Sequence, residues 1–316
     1  MVGTLFDASG NAMQKVDKIT LNHPQYIGYL FALGATAFWS GNFIVARGLS
    51  SEISPLTLAF YRWMVAVLVF SPFAIRQTLK DWRMLKQHLG FLTIAAFLGV
   101  STFNTLIYFA GQTSPAINLS LISISFPVFI LIFSRVLNQE KISRKRLIGV
   151  GLVFMGVLGV ITKGDLKVLT TLHFQEGDAW MLLAAIIFAT YSMLMKRKPQ
   201  GLSVISIQYI TFILGLLMLG PFFFSQQPDK LLVKYDSGIW AAIAYVGICA
   251  SLFAFVLWNK AILLVGAAKS GMVYYLLPLF SGLLAWLILD EALQPTHALS
   301  AFLIISGILL SNYQKG

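Results

Sequence analysis

The sequence predicts an all-α integral membrane protein: ten transmembrane helices built as a 5+5 inverted-topology repeat, with both termini cytoplasmic. Three observations carry that expectation. Hydrophobic residues make up 58% of the 316-residue chain and charged residues 11%, against about 45–50% and about 25% in soluble domains. Ten apolar runs approach the ~20 residues that cross a hydrocarbon core, at 26–47, 56–75, 89–111, 116–136, 146–162, 178–196, 203–224, 239–262, 268–289 and 296–313. Matching residues also recur at one offset: Ala110 and Ala261, Ala116 and Ala267, Pro127 and Pro278, Glu140 and Glu291, and Gly156 and Gly307 each lie 151 residues apart.

The elements follow in order. Residues 1–25 mix Asp7, Lys15, Asp17 and Lys18 with no apolar core, so they fail as a cleaved signal and read as a polar cytoplasmic tail. Spans one to five form the first unit, 26–162, and spans six to ten the second, 178–313, with 163–177 as an external connection. In span one, Trp39 and Asn42 share a helix face, the spacing of a stacking and hydrogen-bonding pair or of an interhelical bond. Span two carries Arg62 about 9 Å inside its outer end at the α-helical rise. Its guanidinium either snorkels to external headgroups or turns into a water-filled cavity between the helices. Span three places Asn104 and Tyr108 on one stripe with Ser101 and Gln112, and span four continues with Asn118 before Pro127.

The second unit supplies Phe188 and Tyr191 opposite the Trp39 and Asn42 pair, then Trp258, Asn259 and Lys260 in span eight. Span nine opens with Lys269 and continues through Tyr274 and Tyr275 to Pro278. Pro127 and Pro278 free carbonyls at membrane depth and are expected to act as hinges. Spans five and ten, with Gly149, Gly156, Gly159, Ser300, Ser306 and Gly307, read as scaffold or as a dimer contact.

Topology follows from charge. With the N-terminus inside, seventeen of the 23 Lys and Arg residues fall in cytoplasmic segments and five outside, leaving Arg62 within a span. Five spans per unit is an odd number, so the second unit sits upside down relative to the first. Glu140 closes span four in a loop rich in Lys and Arg, whereas Glu291 closes span nine in "LDEALQP", which lacks them. Inverted repeats with a midplane site between them are a signature of secondary transporters.

The stretches "GATAFWSGNFIVARG" (34–48), "FYRWMVAVLVFSPF" (60–73), "SFPVFILIFSRVLNQEKISRKRLIGVGLVFMGVLGVI" (125–161) and "LLPLFSGLLAWLILDEALQPTHALSAFLIISGILL" (276–310) together resemble the EamA-type permeases of the drug/metabolite transporter superfamily. The likeness covers nearly the whole chain after the tail. It implies a carrier of the bacterial inner membrane with a central cavity, moving amino acids or related metabolites, frequently outward. It also implies that the Arg62-Trp63 pair and the Trp39 to Asn42 pattern line that cavity, and that helices five and ten are peripheral.

Several classes are set aside. All twelve carboxylates lie in loops or at span ends, so no midplane Asp or Glu attracts a proton or an organic cation. The four histidines, His23, His88, His173 and His297, are scattered, with no catalytic or metal-ligating grouping, so neither an enzyme nor a cofactor is expected. The single cysteine, Cys249, excludes an intrachain disulfide. The net charge of +11 sits in short loops, without the aromatic platform of a nucleic-acid binder. The expected partners are a small-molecule substrate and the lipid bilayer, with the chain a monomer or homodimer. A neutral or zwitterionic cargo is favoured; the alternative is an organic anion or phosphorylated metabolite, with Arg62, Lys260 and Lys269 as charge partners.

Overall fold

The computed structural model describes residues 23–114, 116–123, 125–139, 142–162, 164–171, 173–226, 236–289 and 295–312. Nearly all of the expected tail, together with Glu140 and Glu291, lies outside them. The described residues are helical, with no strand among them. The first half runs α1 (His23–Gly48), α2 (Pro55–Gln87), α3 (Leu89–Ala96), α4 (Phe103–Thr113), α5 (Ala116–Ser123), α6 (Ser125–Asn138) and α7 (Arg144–Thr162). After a 3-10 turn over Leu166–Thr171 come α8 (Glu176–Lys196), α9 (Val204–Phe224), α10 (Ser237–Gly247), α11 (Ala254–Val265), α12 (Ala267–Tyr274), α13 (Leu277–Leu289) and α14 (Pro295–Asn312).

Local sequence sets where these helices begin. Ser54 caps α2 by accepting from the Thr57 amide, with Pro55 in the first turn, and Ser203 and Asp236 cap α9 and α10 in the same way. Asp178 accepts from the Gln175 amide at 2.9 Å to open α8. The chain leaves α11 through Gly266 at φ +87°, a conformation that suits a residue without a Cβ.

Among the described residues, six helical segments are long and apolar enough to cross a membrane: Pro24–Ala46, Pro55–Gln87, Leu89–Thr113, Glu176–Lys196, Val204–Phe224 and Ser237–Val265. The other four expected spans are helical but shorter as continuous segments. One is broken at Tyr275 and Leu276, between α12 and α13; in another, α5 and α6 are described on either side of residue 124, and α7 and α14 have 19 and 18 described residues. The outer faces remain apolar: Phe73, Leu217, Phe224 and Leu309 are each at least 66% exposed. A face of this kind suits lipid and not water.

The two halves share unusual details. A π turn over Phe97–Thr102 joins α3 to α4, and another over Ile248–Phe253 joins α10 to α11, 151 residues on at both ends. Pro278 is the second residue of α13, just past the break at Tyr275 and Leu276. Pro278 therefore occupies a first turn, where its missing N–H leaves no helical bond unmade. It restarts a broken span and does not bend a continuous one.

Packing runs antiparallel between elements that the repeat makes equivalent. Along α2 and α9, Ser54 bonds Gln226, Phe60 stacks on Phe223 at 4.2 Å, Trp63 meets Phe212 at 4.8 Å, and Asp81 accepts from Ser206 at 2.7 Å. Along α7 and α14, a Cβ on Gly149 would lie 2.5 Å from the Gly307 carbonyl, and one on Gly156 would lie 2.8 Å from the Ser300 carbonyl. The halves also exchange partners: α4 packs on α8, and α11 packs on α1.

The glycines of α7 and α14 thus serve close packing within one chain. Because Gly149 faces backbone and not a yielding side chain, Gly149→Leu should force the two helices apart. The expected cost is about 1–3 kcal/mol, read as a lower melting midpoint of the purified protein in detergent.

Candidate functional site

Buried between the helices, Arg62 is 0% exposed, so its guanidinium reaches neither lipid nor an open cavity. Snorkelling is thereby ruled out. A guanidinium has five N–H donors, and nearly all of this one's hydrogen-bonding capacity is used. Nε donates to Ser251 Oγ at 2.7 Å. One terminal nitrogen faces Asn42 Oδ1 at 3.1 Å, Asn104 Oδ1 at 2.8 Å and Tyr108 Oη at 2.6 Å. The other reaches the Ala250 carbonyl at 3.3 Å. Among the described residues none of these partners is a carboxylate, so the cation is held by dipoles alone. The Trp63 ring lies 5.1 Å from the guanidinium carbon and adds a face of negative potential.

The second π turn makes part of this arrangement possible. A π turn disturbs the regular i→i−4 ladder and leaves carbonyls open to side chains. The Ala250 carbonyl, inside that turn, accepts from Trp39 Nε1 at 2.9 Å as well as from Arg62. Ser251 Oγ bonds the Val246 carbonyl, five residues back, at 2.7 Å. Arg62 therefore ties α1, α2 and α4 of the first half to the α10–α11 rod of the second.

A second polar cluster lies near the opposite end of the bundle. Asn259 Nδ2 donates to Tyr191 Oη at 2.7 Å and to Gln208 Oε1 at 2.5 Å, while Tyr191 Oη donates to Gln208 Oε1 at 3.2 Å. Asn259 and Gln208 are 0% exposed and Tyr191 1%. Tyr191 fits here because Gly99, in the first π turn, has no Cβ; one added there would meet the Tyr191 ring at 2.5 Å.

Aromatic rings fill the space between the clusters. Trp39 meets Phe188 edge-on at 5.3 Å, Phe255 at 5.7 Å and Trp258 at 5.2 Å. Phe188 stacks on Phe103 at 4.2 Å and on Tyr191 at 5.6 Å, and Phe126 meets Tyr274 at 4.6 Å. Trp258 Nε1 donates to Ser192 Oγ at 3.1 Å.

Of the residues singled out from sequence, Asn42, Arg62, Asn104 and Tyr108 thus form the charged cluster. Trp39, Trp258 and Tyr274 belong to the aromatic centre, and Tyr191 and Asn259 to the neutral cluster. The rest lie elsewhere. Asn118 donates to Asp178 at 2.8 Å at the start of α8. Tyr275 packs with Val153 and Ile304 of α7 and α14. Lys260 sits 5.7 Å from the Phe31 ring, eleven residues from Asn42 along α1 or about 16 Å at the helical rise. Lys269 is half-buried on α12, and Pro127 is buried against Gly271. Sequence reading passed over Gln208 and Ser251. Gln208 had a usable signal, being the one amide in the apolar run of α9, since an amide at membrane depth needs a protein partner.

A helical bundle with an apolar exterior and buried polar clusters between two similar halves defines a multi-pass membrane protein of the transporter class. The model of the EamA-like transporter family matches residues 26–162 and again 175–313. The chain belongs to this family, a group of EamA-type permeases in the drug/metabolite transporter superfamily. It is 24% identical to the uncharacterized transporter YyaM of Bacillus subtilis (strain 168) over 90% of this chain and 93% of that one. It is 26% identical to an uncharacterized transporter of Archaeoglobus fulgidus over 88% of this chain and 94% of that one. A crystal structure sharing 17% identity superposes with a TM-score of 0.72 over 90% of this chain and 96% of its own, a likeness of fold.

Proposed function

We propose that this transporter is a secondary carrier of the bacterial inner membrane. It moves a small neutral or zwitterionic metabolite, an amino acid or a near relative, by alternating access, with export the favoured direction. In this reading ten spans form two inverted units, 26–162 and 178–313, with both termini cytoplasmic. The antiparallel packing of α2 on α9 and of α7 on α14 supports inversion, because equivalent helices of two parallel repeats would run the same way. The matched π turns support the repeat itself.

The observation that carries the reading is the Arg62 bridge. A buried cation with no carboxylate among its described partners favours the carboxylate end of a cargo, and the open Asn104 Nδ2 beside it, unpartnered among the described residues, offers a further donor. Because Arg62 joins the two halves, a cargo carboxylate that competes for its donors would loosen the contact that rocking must break. Aromatic walls around Trp39 and Phe188 suit the apolar part of such a cargo. The organic-anion alternative is less favoured, since Lys260 lies far from this cluster.

The test is purified protein in liposomes preloaded with unlabelled amino acids or organic acids, with counterflow of the radiolabelled compound followed with and without a pH gradient. Saturable counterflow of a zwitterion is expected. Conductance that does not saturate, with no counterflow, would point to a channel and overturn the proposal.

A further inference from the structure

We infer that Tyr191, Gln208 and Asn259 form a second, uncharged subsite that binds a carboxamide group of the cargo. This inference rests on the carrier reading and narrows its substrate class. Its starting point is an excess of hydrogen-bonding capacity where none should be left over. Within the triad, Gln208 Nε2 and Asn259 Oδ1 are fully buried and have no partner among the described residues. Turning both side-chain amides over exchanges their roles but again leaves one NH2 group and one carbonyl unpaired. Turning over only one sets like against like. A donor and an acceptor therefore remain open in every orientation that keeps the triad bonded.

Buried polar groups left in this state cost about 1–3 kcal/mol each, and so are expected where something else completes them. A carboxamide answers both at once: its carbonyl accepts from the free NH2 and its own N–H donates to the free carbonyl. A carboxylate brings no donor and an ammonium no acceptor. Either would also bring a charge into a triad that carries none and is closed to water. The stacked Phe188 and Tyr191 rings, 5.6 Å apart, border the triad with apolar surface.

Placement sets this subsite apart from the Arg62 cluster. Gln208 is four residues into α9 and Arg62 seven into α2, about 6 Å and 10 Å from the starts of two antiparallel helices. The clusters thus lie toward opposite ends of the bundle, with the aromatic centre between them. Asn259 is the residue that the 151-residue offset pairs with Tyr108, and the 149-residue offset between Pro72 and Pro221 pairs Tyr191 with Asn42. Two positions that hold Arg62 in the first half thus recur in the uncharged triad of the second, whereas Arg62 itself falls opposite Thr211 at the 149-residue offset, which suits a carrier that grips chemically different features of its cargo from its two sides.

The experiment is a melting-midpoint measurement on the purified full chain in detergent with millimolar L-glutamine, L-asparagine or nicotinamide. L-glutamate, L-leucine and L-threonine serve as probes without the amide. The amide probes are expected to raise the midpoint by a few degrees and the others by much less. In the double variant Gln208→Met and Asn259→Leu, both open groups are removed together while the buried Tyr191 hydroxyl loses its two partners, so stability is expected to change little and the amide-specific shift to disappear. Equal shifts with all probes, a shift with L-threonine alone, or an amide shift that survives in the double variant would overturn the inference. So would a stabilised double variant when no probe binds the unaltered protein, since the triad would then hold only water. The comparison on the unaltered protein needs no variant to fold. Counterflow separates the two readings: amide binding without exchange keeps the subsite and sinks the carrier, whereas exchange with no amide preference does the reverse.

Discussion

Replacing Arg62 by glutamine is expected to reduce counterflow of the cargo by about tenfold or more, the equivalent of about 1.4 kcal/mol. Glutamine has one NH2 group where arginine has five N–H donors. It cannot serve Ser251, Asn42, Asn104, Tyr108 and the Ala250 carbonyl together, so several buried acceptors lose their donor. Each such loss costs about 1–3 kcal/mol. Part of that is returned because a buried charge no longer has to be desolvated, and a net destabilisation of about 1–3 kcal/mol is expected. Arg62→Lys separates charge from geometry. Its ammonium keeps the cation but not the flat, forked donor set, so it cannot reach Ser251 and Tyr108 at once. If Arg62 acts by bridging the halves, Arg62→Lys will fail as Arg62→Gln does. Near-normal rates in Arg62→Lys would show that charge alone matters. Initial counterflow rates per unit of reconstituted protein, with melting midpoints alongside, decide it.

The second large effect is expected at Trp39. Its ring contacts Phe188, Phe255, Trp258 and Tyr274, and its indole N–H holds the Ala250 carbonyl. Trp39→Ala would open a void at the meeting point of the two halves and cost about 3–5 kcal/mol, enough to lower yield from membranes and melt the protein early. Trp39→Phe keeps most of the packing and removes only the N–H, at about 1 kcal/mol. It should therefore fold and show its defect in the cargo concentration needed for half-maximal counterflow. Size-exclusion profiles and melting curves read the first effect, and concentration dependence reads the second. A Trp39→Ala protein as stable as the parent would mean that the aromatic centre is not packed as described.

The broad class was legible because hydropathy is additive along a chain. Runs such as 203–224 need no partner to be recognised, and the 151-residue offset found from alanines, prolines and glycines reappears in the π turns. The helix break before Pro278 was not legible. A proline there is compatible with a kink or with a fresh start, and which occurs depends on what the neighbouring helices support. The site divided in the same way. Asn42, Arg62, Asn104 and Tyr108 are polar at membrane depth, so each had to face protein, and they found one another. Asn118 and Tyr275 met the same criterion but turned to Asp178 and to α7. Periodicity names a face of a helix without naming what lies across from it. Gln208 and Ser251 were missed because each is a single polar residue in an apolar setting, with no stripe to draw attention to it.

The paired π turns bear on ancestry. Such a turn amounts to one extra residue wound into a helix, an insertion that a chain seldom acquires and keeps without use. Two turns standing 151 residues apart at both ends are most simply one insertion copied along with its surroundings. On that account the extra residue is older than the doubling that joined the two units. The single unit that was doubled then already carried the widened turn.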